Sequence, residues 1–248
     1  TLFRSFCYVF RNIIENKKYK NIEEGFGVWA DYVRSFGYGR KLGTDFTGEL
    51  NGNVPSSEFY DKAYRGRWNG LTVISLSIGQ GELGCTPLQM ANMVATVANR
   101  GHYRTPHVVK RIHDRDSIDA RFYVNHTTRV DARWFEPIVE GMYQAVNGGG
   151  TGRIAMVPGL DICGKTGTAQ NPHGADNSTF FCFAPRNNPK IAVSVYIENG
   201  GFGATVAAPI ASLLTELYLT DTIQRAPLVE YVKNKQIAYP YYERQQRK

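Results

Sequence analysis

No run of about eighteen apolar residues occurs in this 248-residue chain, which excludes a membrane-spanning helix of ordinary length. The nearest approach, 204–219, is interrupted by Pro209 and Glu216 and reads as a buried helix instead. Cysteine is scarce. Cys7, Cys85, Cys163 and Cys182 lie far apart with no CxxC pair, so neither a zinc knuckle nor a disulfide framework is indicated, and buried free thiols are expected. The five histidines form no HExxH, and no metal or cofactor is expected. The sequence also lacks an internal repeat. It opens at Thr1 without a signal peptide, so any export or anchoring is expected to be encoded outside these residues.

What is present is ordinary globular material. With 42% hydrophobic and 12% aromatic residues, the chain can bury a substantial core. The formal charge of +7 invites an anionic partner, but its distribution argues otherwise. Residues 223–248 hold six basic side chains (Arg225, Lys233, Lys235, Arg244, Arg247, Lys248) against Glu230 and Glu243, so +4 of the total sits in the tail. A nucleic-acid partner is therefore not expected. Residues 1–222 are expected to form the folded part, and residues 223–248 a solvated basic tail containing Tyr239, Tyr241 and Tyr242.

Periodicity gives an α+β pattern. Phe3, Phe6, Phe10, Ile13 and Ile14 recur at helical spacing, and Phe26, Trp29, Val33 and Phe36 form a second stripe closed by Gly37. Residues 44–70, rich in Gly, Asn, Pro and Ser, read as a long surface excursion. Thr86, Pro87 and Gln89 spell a capping box that opens a helix running to about Arg100. Another helix begins near Asp131, with Trp134, Phe135, Ile138, Val139, Met142 and Val146 inward and Gly148, Gly149 and Gly150 ending it. Strands follow at the Lys165 segment, at 179–184 and at 190–198, the last two joined through Pro185 to Pro189, and a final helix covers 207–219. The expected fold is an antiparallel sheet with helices packed around it.

The chemistry concentrates in Cys163 to Gln170, CGKTGTAQ, preceded by Ile154, Val157, Leu160 and Ile162, which suggest a strand leading into it. Lys165 supplies charge, Thr166 and Thr168 donate hydrogen bonds, and Gly167 lets a second backbone lie close, a set suited to a peptide carboxylate. Two rival motifs overlap this reading. Gly159 to Thr166, GLDICGKT, satisfies the phosphate-loop pattern GxxxxGK(S/T), yet Gly167 and then Asn171-Pro172-His173-Gly174 follow where a helix must start. Gly79 to Gly84 is a formal GxGxxG after the apolar run Leu71 to Ile78. Its helix starts two residues too late for a pyrophosphate, and Glu82 adds a repelling charge, so a strand-to-helix turn is expected there.

Taken together, Thr72 to Gly81 (TVISLSIGQG), Thr86 to Ala91 (TPLQMA) and Gly164 to Gln170 (GKTGTAQ) resemble successive blocks of the class B penicillin-binding proteins. Phe183-Ala184-Pro185 and the strand from Ile191 to Ile197 resemble that family's strand pair after KTG. The likeness spans Phe6 to about Leu219. It implies an elongation-type, β-lactamase/transpeptidase-like domain, anchored at the periplasmic face of the bacterial inner membrane, that cross-links peptidoglycan stem peptides and is acylated by β-lactams. A membrane glycosyltransferase and the elongation machinery are the implied partners. Carried over, the likeness makes Lys165, Thr166 and Thr168 catalytic and Gly167 and Thr168 substrate-binding, with the Thr168 amide as an oxyanion donor worth about 3 kcal/mol. Strand alternation sets Lys165 and Thr166 on opposite faces.

The departures are as informative. No serine in the chain has a lysine three residues on, and no SxN occurs, Ser5 standing out of frame. Without a nucleophile there is no acyl-enzyme. The expectation is the C-terminal portion of a transpeptidase domain that is inactive by itself. Alternatives are a non-catalytic cell-wall-binding relative or a phosphate-loop nucleotide-binding protein.

Overall fold

The computed structural model describes residues 2–113, 115 and 117–237. Its contacts divide the chain into two compact units, one from Thr1–Gln89 and Arg104–Val130, the other from Met90–Tyr103 and Asp131–Lys248. The architecture is the expected α+β arrangement.

The first unit contains α1 (Leu2–Ile14), α2 (Ile22–Arg34) and α3 (Ser57–Tyr64). Asn21 caps α2 by accepting from the Glu24 amide at 3.0 Å, a polar start for a helix that ends at Arg34 and is followed by a turn closed at Gly37, φ 93°. The core of this unit is aromatic: fully buried Phe26 meets Tyr60 and Trp68 edge-on, both at 5.5 Å between centroids. Phe10 and Ile14 complete it, whereas Phe6 and Ile13 of the same expected stripe are exposed, because only one narrow face of α1 is covered.

Three expectations are corrected here. The excursion at 44–70 contains α3, closed by Arg65 in the left-handed region and held inward by Tyr60, whose hydroxyl donates to Glu82 at 2.8 Å. Burial, followed by that contact with Glu82, raises the Tyr60 phenol above its ordinary pKa. The run before the GxGxxG is a 3₁₀ helix, Ile74–Ile78, and not a strand: Val73 and Leu76, three apart, turn inward while Leu71 points out, and Gly79 at φ 73° ends the turn. Among the thiols, Cys163 and Cys182 are buried as expected, but Cys85 is exposed and Cys7 half-buried.

The Thr86 capping box forms as read. The Gln89 amide donates to Thr86 Oγ1 at 3.1 Å, and the Thr86 amide donates to Gln89 Oε1 at 3.0 Å, opening α4 (Pro87–Ala98).

The second unit carries α5 (Phe135–Asn147), strands β1 (Cys163–Ala169), β2 (Asn177–Ala184) and β3 (Ile191–Ile197), then α6 (Ala207–Thr220) and α7 (Ala226–Lys233). The strands form one antiparallel sheet in sequence order, with α6 against β2 and β3 and α5 against β1. Val146, Ile162, Phe180, Cys182, Val195 and Ala211 are the centre of its core. Trp134, expected inward, is exposed and belongs to a 3₁₀ turn at Ala132–Trp134 ahead of α5, and Ile138, also expected inward, is exposed at the uncovered edge of the helix face that buries Phe135, Val139, Met142 and Val146. The apolar lead 154–162 is likewise not a strand: Arg153–Ala155 is a 3₁₀ turn, and Ala155, Val157 and Ile162 enter the core without alternating regularly. The presumed solvated tail begins with α7, tied back by the Tyr231 hydroxyl donating to the Thr205 carbonyl at 3.0 Å. Residues 238–248, with Tyr239, Tyr241 and Tyr242, lie outside the described residues. Among the described residues no helix is long and apolar enough to cross a membrane.

Candidate functional site

β1 is an outer strand, hydrogen-bonded to β2 alone among the described residues. Gly164, Thr166 and Thr168 lie on one face, opposite Cys182, Phe180 and Ser178 in the register, while Lys165 and Gly167 lie on the other. The local sequence dictates this. Gly164 sits against the Phe180 ring, where a Cβ would come 2.5 Å from Cζ and 3.0 Å from the Cys182 Cβ. Only a residue without a side chain allows that aromatic ring to fill the core beneath the strand.

The hydroxyl face is organised by two loops. Thr166 Oγ1 lies 2.8 Å from Thr151 Oγ1. Thr151 is placed by the glycines after α5: Gly149 adopts φ 82°, and Gly150 passes so close to α5 that a Cβ would stand 2.7 Å from the Ala145 Cα. Thr168 Oγ1 accepts from the Gly203 amide at 3.3 Å. The same loop is pinned by buried Ser178, whose hydroxyl donates to the Phe202 carbonyl at 2.9 Å and accepts from the Ala207 amide at 3.2 Å at the start of α6.

Lys165 is on the opposite face, exposed, with Nζ donating to the Thr166 carbonyl at 2.7 Å. Desolvation of the ammonium lowers its pKa below the ordinary 10.5. Among the described residues no carboxylate pairs with it. Next to it, burial pushes the Cys163 thiol up to about 12, so this sulfur stays protonated at neutral pH and does not replace a serine nucleophile. The arrangement offers two adjacent hydroxyls, a strand edge and one cation close to the strand backbone, chemistry suited to an anionic, extended ligand.

All four residues singled out in the sequence therefore fall on one strand, with Lys165 separated from the hydroxyls by the sheet plane. Sequence reasoning missed Thr151 and Gly203. Three successive glycines, more than a helix stop requires, followed by one threonine were the available signal for Thr151; Gly203 had none. The phosphate-loop alternative is corrected: Thr166 lies in mid-strand, and β1 runs on to Ala169 with no helix to receive a phosphate.

Comparison with known proteins adds four findings. Residues 20–216 match the family described as penicillin binding protein transpeptidase domain. The chain is 35% identical over 221 residues to the peptidoglycan D,D-transpeptidase MrdA of Haemophilus influenzae, covering 81% of this chain and 33% of that protein, so it spans about a third of that relative. Among solved structures, it resembles PBP2 of Pseudomonas aeruginosa in complex with WCK 5153, with TM-score 0.68 and 33% identity over 87% of this chain and 48% of the other. It also resembles a chain from a structure of a peptidoglycan synthase complex that coordinates polymerization and crosslinking, with TM-score 0.64 and 27% identity over 80% of this chain and 34% of that one.

Proposed function

The chain belongs to the penicillin-binding protein transpeptidase family, and from that premise we propose that it is part of a serine-type D-Ala-D-Ala transpeptidase cross-linking peptidoglycan stem peptides and binding β-lactams. In this reading, residues 1–222 are the C-terminal portion of the transpeptidase domain and 223–248 a basic tail. The observation that carries the reading is the Thr151–Thr166 hydroxyl pair, 2.8 Å apart on an outer strand whose next residues are Gly167 and Thr168. The terminal carboxylate of a stem peptide docks on these hydroxyls. Lys165 contributes charge through the strand, Gly167 permits close approach, and the Thr168 amide faces the developing oxyanion. The domain works at the periplasmic face of the inner membrane beside a glycosyltransferase of the elongation machinery, a partner class supported by the relative found in a synthase complex.

The nucleophile and its lysine are not among these 248 residues. Purified chain treated with a fluorescent penicillin is therefore expected to show no covalent adduct by intact-mass spectrometry. A stoichiometric adduct on any serine would overturn the assignment of inactivity. The same absence favours a second reading, a non-catalytic relative that only holds stem peptides; an in-frame SxxK in the gene ahead of Thr1 decides against it.

Binding can survive where turnover does not. Titration with diacetyl-lysyl-D-Ala-D-Ala is expected to shift the amide resonances of Thr166, Gly167 and Thr168. Thr151→Val should weaken binding by about fivefold, the worth of one neutral hydrogen bond. Affinity should also fall as pH rises through the depressed pKa of Lys165, because the cation that favours the carboxylate is lost there, earlier than an ordinary lysine would lose it. Shifts confined to other parts of the chain, or a flat pH profile, would refute the carboxylate assignment.

A further inference from the structure

Away from the strand edge, the second unit has an open groove of about 1060 Å³ between the 3₁₀ turn at Arg153–Ala155, the Ala204–Thr205 loop and α7. Its floor is apolar, formed by Ile154, Met156 and Leu228, and two of these are unusually exposed for their size, Ile154 at 45% and Met156 at 41%. Beside the hydroxyls of Thr205 and Tyr231, three longer polar side chains rim it. Arg153 is exposed and makes no ion pair among the described residues. Gln224 offers a side-chain amide with one donor group and one acceptor. Arg225 is held by buried Glu216 through Nε at 2.8 Å, yet its Nη2 is buried and meets no acceptor among the described residues.

We propose that this groove docks an extended segment of a partner protein bearing apolar side chains and a carboxylate. Each part of the surface matches one part of such a ligand. The floor takes alternate apolar side chains, and the free guanidinium of Arg153 takes the carboxylate in a bidentate contact. Gln224 pairs with a backbone amide, which a fatty chain does not possess. The Arg225–Glu216 pair is already neutralised and serves as a rigid wall, so Arg153 sets the sign of the preferred charge. That sign also rejects the chain's own terminus, since residues 238–248 contain three basic side chains and one acidic one. The groove shares a wall with the loop whose Gly203 amide caps Thr168, so occupancy has a local reporter. The docking itself is independent of the stem-peptide reading above.

The test uses the full chain and a fluorescein-labelled, N-acetylated hexapeptide of alternating leucine and glutamate. Anisotropy is expected to show saturable binding and a shift of the Gly203 amide resonance. Arg153→Glu should weaken binding about tenfold and transfer the preference to a leucine–lysine peptide, while Leu228→Glu abolishes binding to both. Unchanged far-UV circular dichroism and melting of Arg153→Glu establish that the variant is folded. Absence of saturation up to about 1 mM overturns the proposal. So does equal binding of a leucine–glutamine peptide, tighter binding of a synthetic peptide of residues 238–248, or Leu228-dependent capture by phosphatidylglycerol vesicles in place of the peptide.

Discussion

Replacing Gln89 by leucine is expected to lower the free energy of unfolding by about 3 kcal/mol, the sum of a lost cap and orphaned buried carbonyls. Gln89 is 2% exposed, and its side chain works in two directions. Its Oε1 closes the capping box with Thr86. Its Nε2 donates to the carbonyls of Asn51 at 2.8 Å and Arg40 at 2.9 Å, with Gly37 at 3.3 Å. Gly52, at φ 63°, brings the excursion so near that a Cβ there would stand 2.6 Å from Oε1. Leucine fills a similar volume but satisfies none of these groups. Thr86→Ala removes the cap alone and should cost about 1 kcal/mol. Urea denaturation of both variants checks the ranking. Equal losses would mean that the carbonyl contacts contribute nothing.

Gly203→Ala is the second large effect, expected to cost about 3 kcal/mol, the upper end for an added methyl in a packed interior, because the obstacle is backbone and not a side chain that moves aside. A Cβ at this position would overlap the carbonyl oxygens of Gly167 and Thr179 and lie 3.0 Å from the Gly167 nitrogen. The loop must lift, taking the Gly203 amide from Thr168 and the Phe202 carbonyl from Ser178. The variant should therefore lose stem-peptide binding along with stability. Ser178→Ala spares the first of these anchors, breaking the second together with the contact to the Ala207 amide, and should be milder, about 1–2 kcal/mol. A Gly203→Ala protein that melts like its parent would show that the loop relaxes without resistance.

Much of this architecture was legible because its signals are local. The Thr86–Gln89 box, the Phe26–Trp29–Val33 stripe, and the three strands around Lys165 each declare themselves within a dozen residues. Their arrangement as consecutive antiparallel strands followed from their order in the chain and from the turn composition of Pro185 to Pro189. Where the reading failed, the deciding interaction was distant in sequence. The run 71–78 alternates well enough for a strand, but burial of Val73 and Leu76 beside Phe26 and Tyr60 selected a 3₁₀ turn. Ile138 and Phe6 look like core residues and are exposed, since periodicity gives a face without saying how much of it is covered. Gln89 was visible as a cap; its grip on residues 37–51 was not, because nothing in four letters announces three carbonyls some forty residues upstream. Thr151 and Gly203 escaped for the same reason. One meets Thr166 across fifteen residues and the other meets Thr168 across thirty-five.

The two glycines inside β1 act as keys cut on opposite sides of a blade. Gly164 leaves room for the ring of Phe180, and three positions along, Gly167 leaves room for the methyl of Thr179. Sliding β1 by one residue against β2 would invert every side chain, and sliding it by two would drive Ile162 or Thr166 into the slot at Cys182. Neither displacement is sterically open, so the phase of lysine and threonine along this ribbon is locked by the two residues that have no side chain at all.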